Sequence, residues 1–356
     1  MMRPRDDMAF DFDFELLWEL SETSGAPGYE DRIRSIVHRE LEGEVDEIRT
    51  DAMGNVVGTL EGKRDYEVAV PAHMDEIGFM VTHVNEEGFL SIDSLGGWDS
   101  RILRAQRVTV HAENEDLTGV IGSTPPHLLD EDEDEQDVSD VYIDLGLPVE
   151  EAESRVSVGD IVTMEQTTTR VGDHITGKAL DDRVCLFAML EAAKRIENPE
   201  ATIHFCATVQ EEVGLRGAEA LGVDIDPDLA VALDVTVAND IPGVKYEKDY
   251  VTRLGEGTAI KLKDGSVVTS PKVHRRMRDL AEQRDIAHQL EVLPSGGTDT
   301  AGFQNTHGAK PVGAISIPTR YLHTVTESAH GDDISATIDL LTAFLETETG
   351  EHDYSL

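Results

Sequence analysis

Ala201-Thr202-Ile203-His204-Phe205-Cys206-Ala207-Thr208-Val209 runs directly into Gln210-Glu211-Glu212-Val213-Gly214. The first part has the length and composition of a buried strand, and Gly214 marks the turn that ends it. In a chain with 72 acidic residues, an adjacent glutamate pair is by itself a solvated surface feature. This pair gains weight because the same layout, an apolar strand ending in charged or imidazole side chains, recurs along the sequence.

Working outward from it, the chain after Gly177 alternates helix and strand, the pattern of parallel βαβ units. Helices are expected over Asp182–Ile196, Leu215–Leu221, Val273–Arg284, Asp299–Thr306 and Asp333–Glu346. Strands are expected over Leu229–Leu233, Gly257–Leu262, His288–Leu293 and Val312–Ile317. On the N-terminal side, Glu15–Thr23 and Tyr29–Glu42 carry apolar residues at helical spacing, and Val45–Thr50, Val56–Leu60 and Tyr66–Pro71 read as short strands. Between them, from about Gly78 to Gly177, closely spaced strands follow one another with no helical period. These are Phe79–Val84, Phe89–Ile92, Arg107–His111, Leu117–Ile121 and Asp160–Met164, a small all-β unit set into a larger α/β one. The expected division is therefore 1–77 and 178–356 for one domain and 78–177 for the insert. Asp130–Glu135, an unbroken acidic block, reads as a solvated loop within it.

A length of 356 residues suits two cores, and 39% hydrophobic content is enough to fill them. No apolar run approaches the roughly 18 residues of a membrane span, and Met1–Asp7 lacks the apolar centre of a secretory leader, so a cytoplasmic protein is expected. The formal charge is -42, with 9 Lys against 21 Arg, which argues against nucleic acid as a partner. Acids dispersed over the whole chain read as an acidic surface adapted to high salt. Cys185 and Cys206 both lie in apolar segments, so neither a disulfide nor a thiolate metal site is expected.

In open α/β sheets, ligands bind beyond the carboxyl ends of the strands. The polar residues found there are His73 and Asp75, Glu211 and Glu212, Asp234, and His323, with Asp181 and Asp182 at the start of a helix. Two histidines and several carboxylates on one rim are a donor set for divalent metal, and without thiolate they suit Zn, Co or Mn. Asp75, two residues beyond His73, can accept a proton from one ring nitrogen while the other faces a metal. One glutamate of the 211–212 pair can ligate while the other faces the attacking water.

Ala72-His73-Met74-Asp75-Glu76-Ile77-Gly78, Gly177-Lys178-Ala179-Leu180-Asp181-Asp182-Arg183, Gln210-Glu211-Glu212-Val213-Gly214, Ala232-Leu233-Asp234-Val235, Gly296-Gly297-Thr298-Asp299-Thr300 and Ile317-Pro318-Thr319-Arg320-Tyr321-Leu322-His323-Thr324 together resemble the motif series of the TET (tetrahedral) dinuclear metallo-aminopeptidases. The resemblance implies a mixed sheet between helices with an inserted PDZ-like β domain that serves dimerisation. It also implies a hollow dodecamer built from dimers that admits short peptides. Two divalent ions per subunit are implied, Zn first, with Co or Mn as alternatives. By the same resemblance, His73 and Asp234 would hold one ion, Glu212 and His323 the other, and Asp181 would bridge them. Glu211 would be the general base, Asp75 would orient His73, and Asp182 would not be a ligand. The acidic loop near Asp130–Asp137 would fall near a neighbouring active site. Thr300 and Thr324 depart from the family's smaller residue and Ser, and neither is a ligand position.

The expected function is thus removal of N-terminal residues from short peptides. A deacylase or carboxypeptidase of the same fold group keeps the metals and changes the substrate. An acidic binding or scaffold protein would use neither. A glycosidase is set aside, since its two carboxylates must flank one bond at about 5–9.5 Å and adjacent glutamates are poorly placed for that.

Overall fold

The computed structural model describes residues 12–123, 137–244 and 251–355; the acidic block at 130–135 lies outside the described residues. The chain opens with α1 (Phe14–Glu22) and α2 (Asp31–Leu41), then β1 (Glu47–Thr50), β2 (Val56–Leu60) and β3 (Glu67–His73). Next come β4 (Gly78–Val84), β5 (Leu90–Leu95), β6 (Arg107–Ala112), β7 (Glu115–Ile121), β8 (Tyr142–Asp144), α3 (Val149–Arg155) and β9 (Ile161–Met164). The hairpin β10 (Thr169–Val171) and β11 (His174–Gly177) leads into α4 (Leu180–Arg195), β12 (Thr202–Thr208), α5 (Arg216–Asp224), β13 (Leu229–Val237) and β14 (Thr258–Lys263). The chain ends with α6 (Pro271–Arg284), β15 (His288–Val292), α7 (Thr300–Gln304), β16 (Val312–Arg320), β17 (Glu327–His330) and α8 (Gly331–Thr347).

The larger sheet is mixed and runs β1-β2-β12-β3-β13-β16-β17-β11-β10, with β14 and β15 branching from β16. Its centre, β12, β3, β13 and β16, is parallel, as the alternation of helix and strand predicts. The central strands are buried on both faces, and their side chains separate with the strand period of two. Val68, Val70 and Ala72 join the core beneath α1, α2, α4, α6 and α8, whereas Ala69 joins the smaller core of α5 and α7. β13 does the same, with Leu229, Val231 and Leu233 on one side and Ala230 on the other. Local signals agree with this packing. The Asp13 carboxylate accepts the amides of Glu15 and Leu16 to cap α1, and Pro271 starts α6, where its missing N–H costs nothing.

The insert is a closed six-stranded barrel, β4-β5-β8-β7-β6-β9, with its own core around Phe79, Val108, Val110 and Val162. Its entry strand β4 and exit strand β9 are hydrogen-bonded neighbours, with Phe79 opposite Val162 and Met80 opposite Ile161. The chain has left the barrel by Thr169, because the β10–β11 hairpin extends the larger sheet. Several elements differ from the sequence reading, which had no strand at β8, β10 or β11. α3 lies in a stretch read as free of helix; only Ala152 of it is buried, so it has no apolar stripe to betray it. β17 holds only four residues, too few to show a period. β13 extends to Val237, which places Asp234 inside a strand and not at its end, since Val235 and Thr236 continue the buried run.

Candidate metal centre

The residues singled out from the sequence meet at one rim of the larger sheet. His73 ends β3 and is 2% exposed. Beyond it the chain keeps pairing with β12, the Met74 amide donating to the Thr208 carbonyl at 2.7 Å. The buried Arg183 guanidinium, reaching from α4, donates to the carbonyls of Met74, Leu20 and Thr23 and so ties this loop to the end of α1. After β12, Gln210 takes a left-handed φ of 55° and the turn closes through Gly214, whose φ of 114° suits a residue without Cβ. The turn takes Glu211 and Glu212 out of strand geometry. Asp181 and Asp182 form the first, non-helical turn of α4 and are joined by a cis peptide. His323 lies in the loop after β16, again with a left-handed φ, of 58°.

Asp181 stands between the two histidines. Its Oδ1 is 3.3 Å from His73 Nε2 and its Oδ2 is 3.5 Å from His323 Nε2. Glu212 Oε2 lies 3.6 Å from His323 Nε2, and Glu211 Oε2 lies 3.9 Å from His73 Nε2. Donor atoms of His73, Asp181, Asp182 and Asp234 fall within 4.8 Å of one another, as do those of Asp181, Glu212 and His323, and of His73, Glu211 and Glu212. Asp182, which the sequence reading kept out of the ligand set, thus sits among the donors. Its Oδ2 accepts the His73 amide, and its buried Oδ1 has no hydrogen-bond partner.

The far side of each ring is fixed by a carbonyl. His73 Nδ1 donates to the Asp75 backbone oxygen at 3.1 Å, and His323 Nδ1 donates to the Gly97 oxygen at 2.8 Å. A carbonyl can only accept, so both Nδ1 atoms carry protons and both Nε2 atoms face carboxylates. Two carboxylates span backbone amides around the site. Asp75 Oδ1 and Oδ2 accept from Glu211 N at 3.0 Å and Glu212 N at 3.1 Å, with Oδ1 also 3.4 Å from His73 Nδ1. Glu327, not singled out from the sequence, accepts from Asp181 N at 2.9 Å and His323 N at 2.8 Å. Beside Asp181 and Glu212, a cleft is lined by Ile77, Trp98, Met164 and Val325.

So many acids at one buried point cannot all ionise without a cation. Burial, reinforced by Asp181, pushes Glu212 up to about 8, and burial lifts Asp234 to about 7 against the pull of Lys261. Burial likewise drives Glu211 well above the usual carboxylate range. Burial works against charge on the histidines, yet Asp181 and Asp75 hold His73 well above its ordinary value, and Asp181 with Glu212 lifts His323 to about 10. Each shift expresses one deficit: without a metal, protons must occupy the space between Nε2 atoms and carboxylates. Glu212 Oε1 is buried with no hydrogen-bond partner, a further donor awaiting a cation. The residues present therefore fit divalent metal, with oxygen and imidazole donors and no thiolate.

A mixed α/β sheet bearing this donor set at its rim fits a metal-dependent hydrolase, and the family match below makes that hydrolase a peptidase. More narrowly, the chain belongs to the M42 glutamyl aminopeptidase family, whose model matches residues 54–340. A lysyl aminopeptidase of Pyrococcus furiosus is 36% identical over 94% of this chain and 97% of its own. The structure of an aminopeptidase from the archaeon Desulfurococcus kamchatkensis superposes with a TM-score of 0.91 at 37% identity, covering 95% of each chain. The TET1 peptidase of Pyrococcus horikoshii, which can assemble into a tetrahedron or a large octahedral shell, gives 0.85 at 34% identity over 94% of this chain and 99% of that one. Family membership sets aside the reading of a non-catalytic scaffold.

Proposed function

We propose that this chain is an aminopeptidase that removes N-terminal residues from short peptides with two divalent ions per subunit. The observation that carries the reading is the placement of Asp181, one carboxylate oxygen toward each histidine Nε2. In this reading His73 and Asp234 hold one ion, Glu212 and His323 the other, and Asp181 is shared. When bound, such ions polarise the scissile carbonyl and lower the pKa of a water towards 7, and Zn, Co and Mn all suit the donors. Asp75 fixes His73 and, through two amides, the turn that carries both glutamates. Glu211 is the general base: with the positive charge of bound metal nearby its carboxylate would be ionised, free to take the proton of the attacking water and return it to the leaving amine.

By analogy with the TET1 peptidase we further propose a tetrahedral dodecamer built from dimers, with the barrel as the inserted dimerisation unit. Among the described residues no helix is long and apolar enough to cross a membrane. We read the -42 charge as adaptation to a high-salt cytoplasm. The test is a side-by-side assay at molar salt with Zn, Co and Mn of free-amine peptides, N-acylated amino acids and peptides trimmed from the C-terminus. Turnover of the free-amine peptides alone is expected; preference for either other class refutes the reading. Glu211→Gln should keep its metal and lose about 10²-fold or more in turnover. Glu212→Gln should instead lose metal.

A further inference from the structure

Glu327 sits where the sheet divides. It is the first residue of β17, which lies between β16 and β11. β11 pairs with it, Gly177 opposite Glu327, and then runs on through Lys178, Ala179 and Leu180 to Asp181. β16 pairs with the same strand on its other side, Arg320 opposite Ser328, and then departs into the loop that holds His323. Past Glu327, no strand pairing holds these two diverging segments in register. What spans the gap is the Glu327 side chain, 2% exposed, with one oxygen on the Asp181 amide and the other on the His323 amide.

The backbone on both sides needs such support. Ala179, Tyr321 and His323 have left-handed φ angles of 53°, 61° and 58°, which residues bearing a Cβ adopt only when their surroundings impose it. The His323 amide is held by Glu327 and its ring by the Gly97 carbonyl, so backbone and side chain are fixed independently. Both Glu327 oxygens are occupied by amides, and donor atoms of Asp181, Glu212 and His323 lie within one 4.8 Å group that does not include it. Its influence on the site runs through the two residues it holds.

We propose that Glu327 is a positioning residue that sets the separation of Asp181 from His323 and thereby the affinity of one of the two metal positions, that of Asp181, Glu212 and His323. The proposal rests on the two-ion reading above. Its effect is larger there than at the position of His73 and Asp234, because His323 belongs to the first position alone whereas Asp181 is shared by both. Glutamine has one acceptor oxygen where glutamate has two, so Glu327→Gln keeps one amide and turns an N–H donor toward the other.

The experiment strips wild-type protein and E327Q with a chelator and titrates each with Mn²⁺ by calorimetry, with bound metal counted by mass spectrometry. The wild type is expected to bind two ions per chain. E327Q, with unchanged circular dichroism, is expected to lose about 10–100-fold in one affinity, the range for removing an outer hydrogen-bond partner of a ligand, and distinctly less in the other. Two wild-type affinities in E327Q, or equal losses at both positions, overturn the proposal. A wild type that binds fewer than two ions overturns the two-ion reading itself. Should E327Q fail to fold, amide exchange of the metal-free wild type decides: slow exchange of the Asp181 and His323 amides supports a clamp present before metal arrives, and fast exchange overturns it.

Discussion

Replacing Asp75 by asparagine tests the site where structure adds most to sequence. The Asp75 side chain is fully buried and its carboxylate meets three groups, the amides of Glu211 and Glu212 and the His73 ring. Asparagine offers one acceptor oxygen, so at least one glutamate amide would face an NH₂ group. The loss of one hydrogen bond to a charged acceptor costs about 1.5–3 kcal/mol, and the buried amide left unpaired costs about 1–3 kcal/mol more. A destabilisation of about 2.5–6 kcal/mol follows, a large part of a typical total of about 5–15 kcal/mol. Urea unfolding of metal-free wild type and Asp75→Asn measures it directly. Because the amides belong to the turn that carries both Glu211 and Glu212, turnover and metal affinity should fall together in the refolded variant. If the role of Asp75 were confined to orienting His73, the turn would be unaffected and the stability loss small. A difference below about 1 kcal/mol with normal turnover would refute the argument.

Other outcomes follow from the same structure. In chelator-treated protein, Glu212, Asp234 and His323 have raised pKa values in the folded state. The folded chain then holds protons that the unfolded chain releases, so stability should fall as pH rises from about 5 through 8 and beyond; divalent metal should flatten this slope, and urea midpoints that rise with pH without metal would contradict it. Lys178 and Glu76 form a buried pair with Nζ 2.6 Å from Oε2. Lys178→Met strands that carboxylate and should cost about 3–5 kcal/mol in chemical denaturation, and a neutral result would show the pair to be dispensable. With a formal charge of -42, repulsion is screened at molar salt and not in dilute buffer, so dissociation or unfolding is expected below a few tenths molar salt. Unchanged sedimentation and circular dichroism after desalting would exclude that adaptation.

The legible part of this chain was what repeats. Long buried strands such as Thr202–Thr208 declare themselves by apolar continuity, and the polar residue that ends each one stands out against it. His73, Glu211 and Glu212 could be collected that way, and position in the sheet, not composition, gave the acid pair its weight. Asp234 was found for a slightly mistaken reason, since the strand does not stop there. Glu327 gave no signal: it opens a four-residue strand in a chain full of glutamates, and its partners are backbone amides, which a sequence does not display. α3 escaped because a helix with one buried residue has no period to detect.

The pairing of the barrel's first and last strands bears on how the site is assembled. His73 and Asp181 must meet although the whole barrel separates them in the chain. An unstructured excursion of about 100 residues would cost about 4 kcal/mol in closure entropy each time the rim formed. Because β4 and β9 are adjacent, the barrel delivers the chain back within one strand spacing of where it left, about 4.8 Å. Once folded, the barrel leaves the centre with the topology of a short loop. The sequence and even the size of the insert are then free to diverge between relatives, provided that its two end strands stay paired.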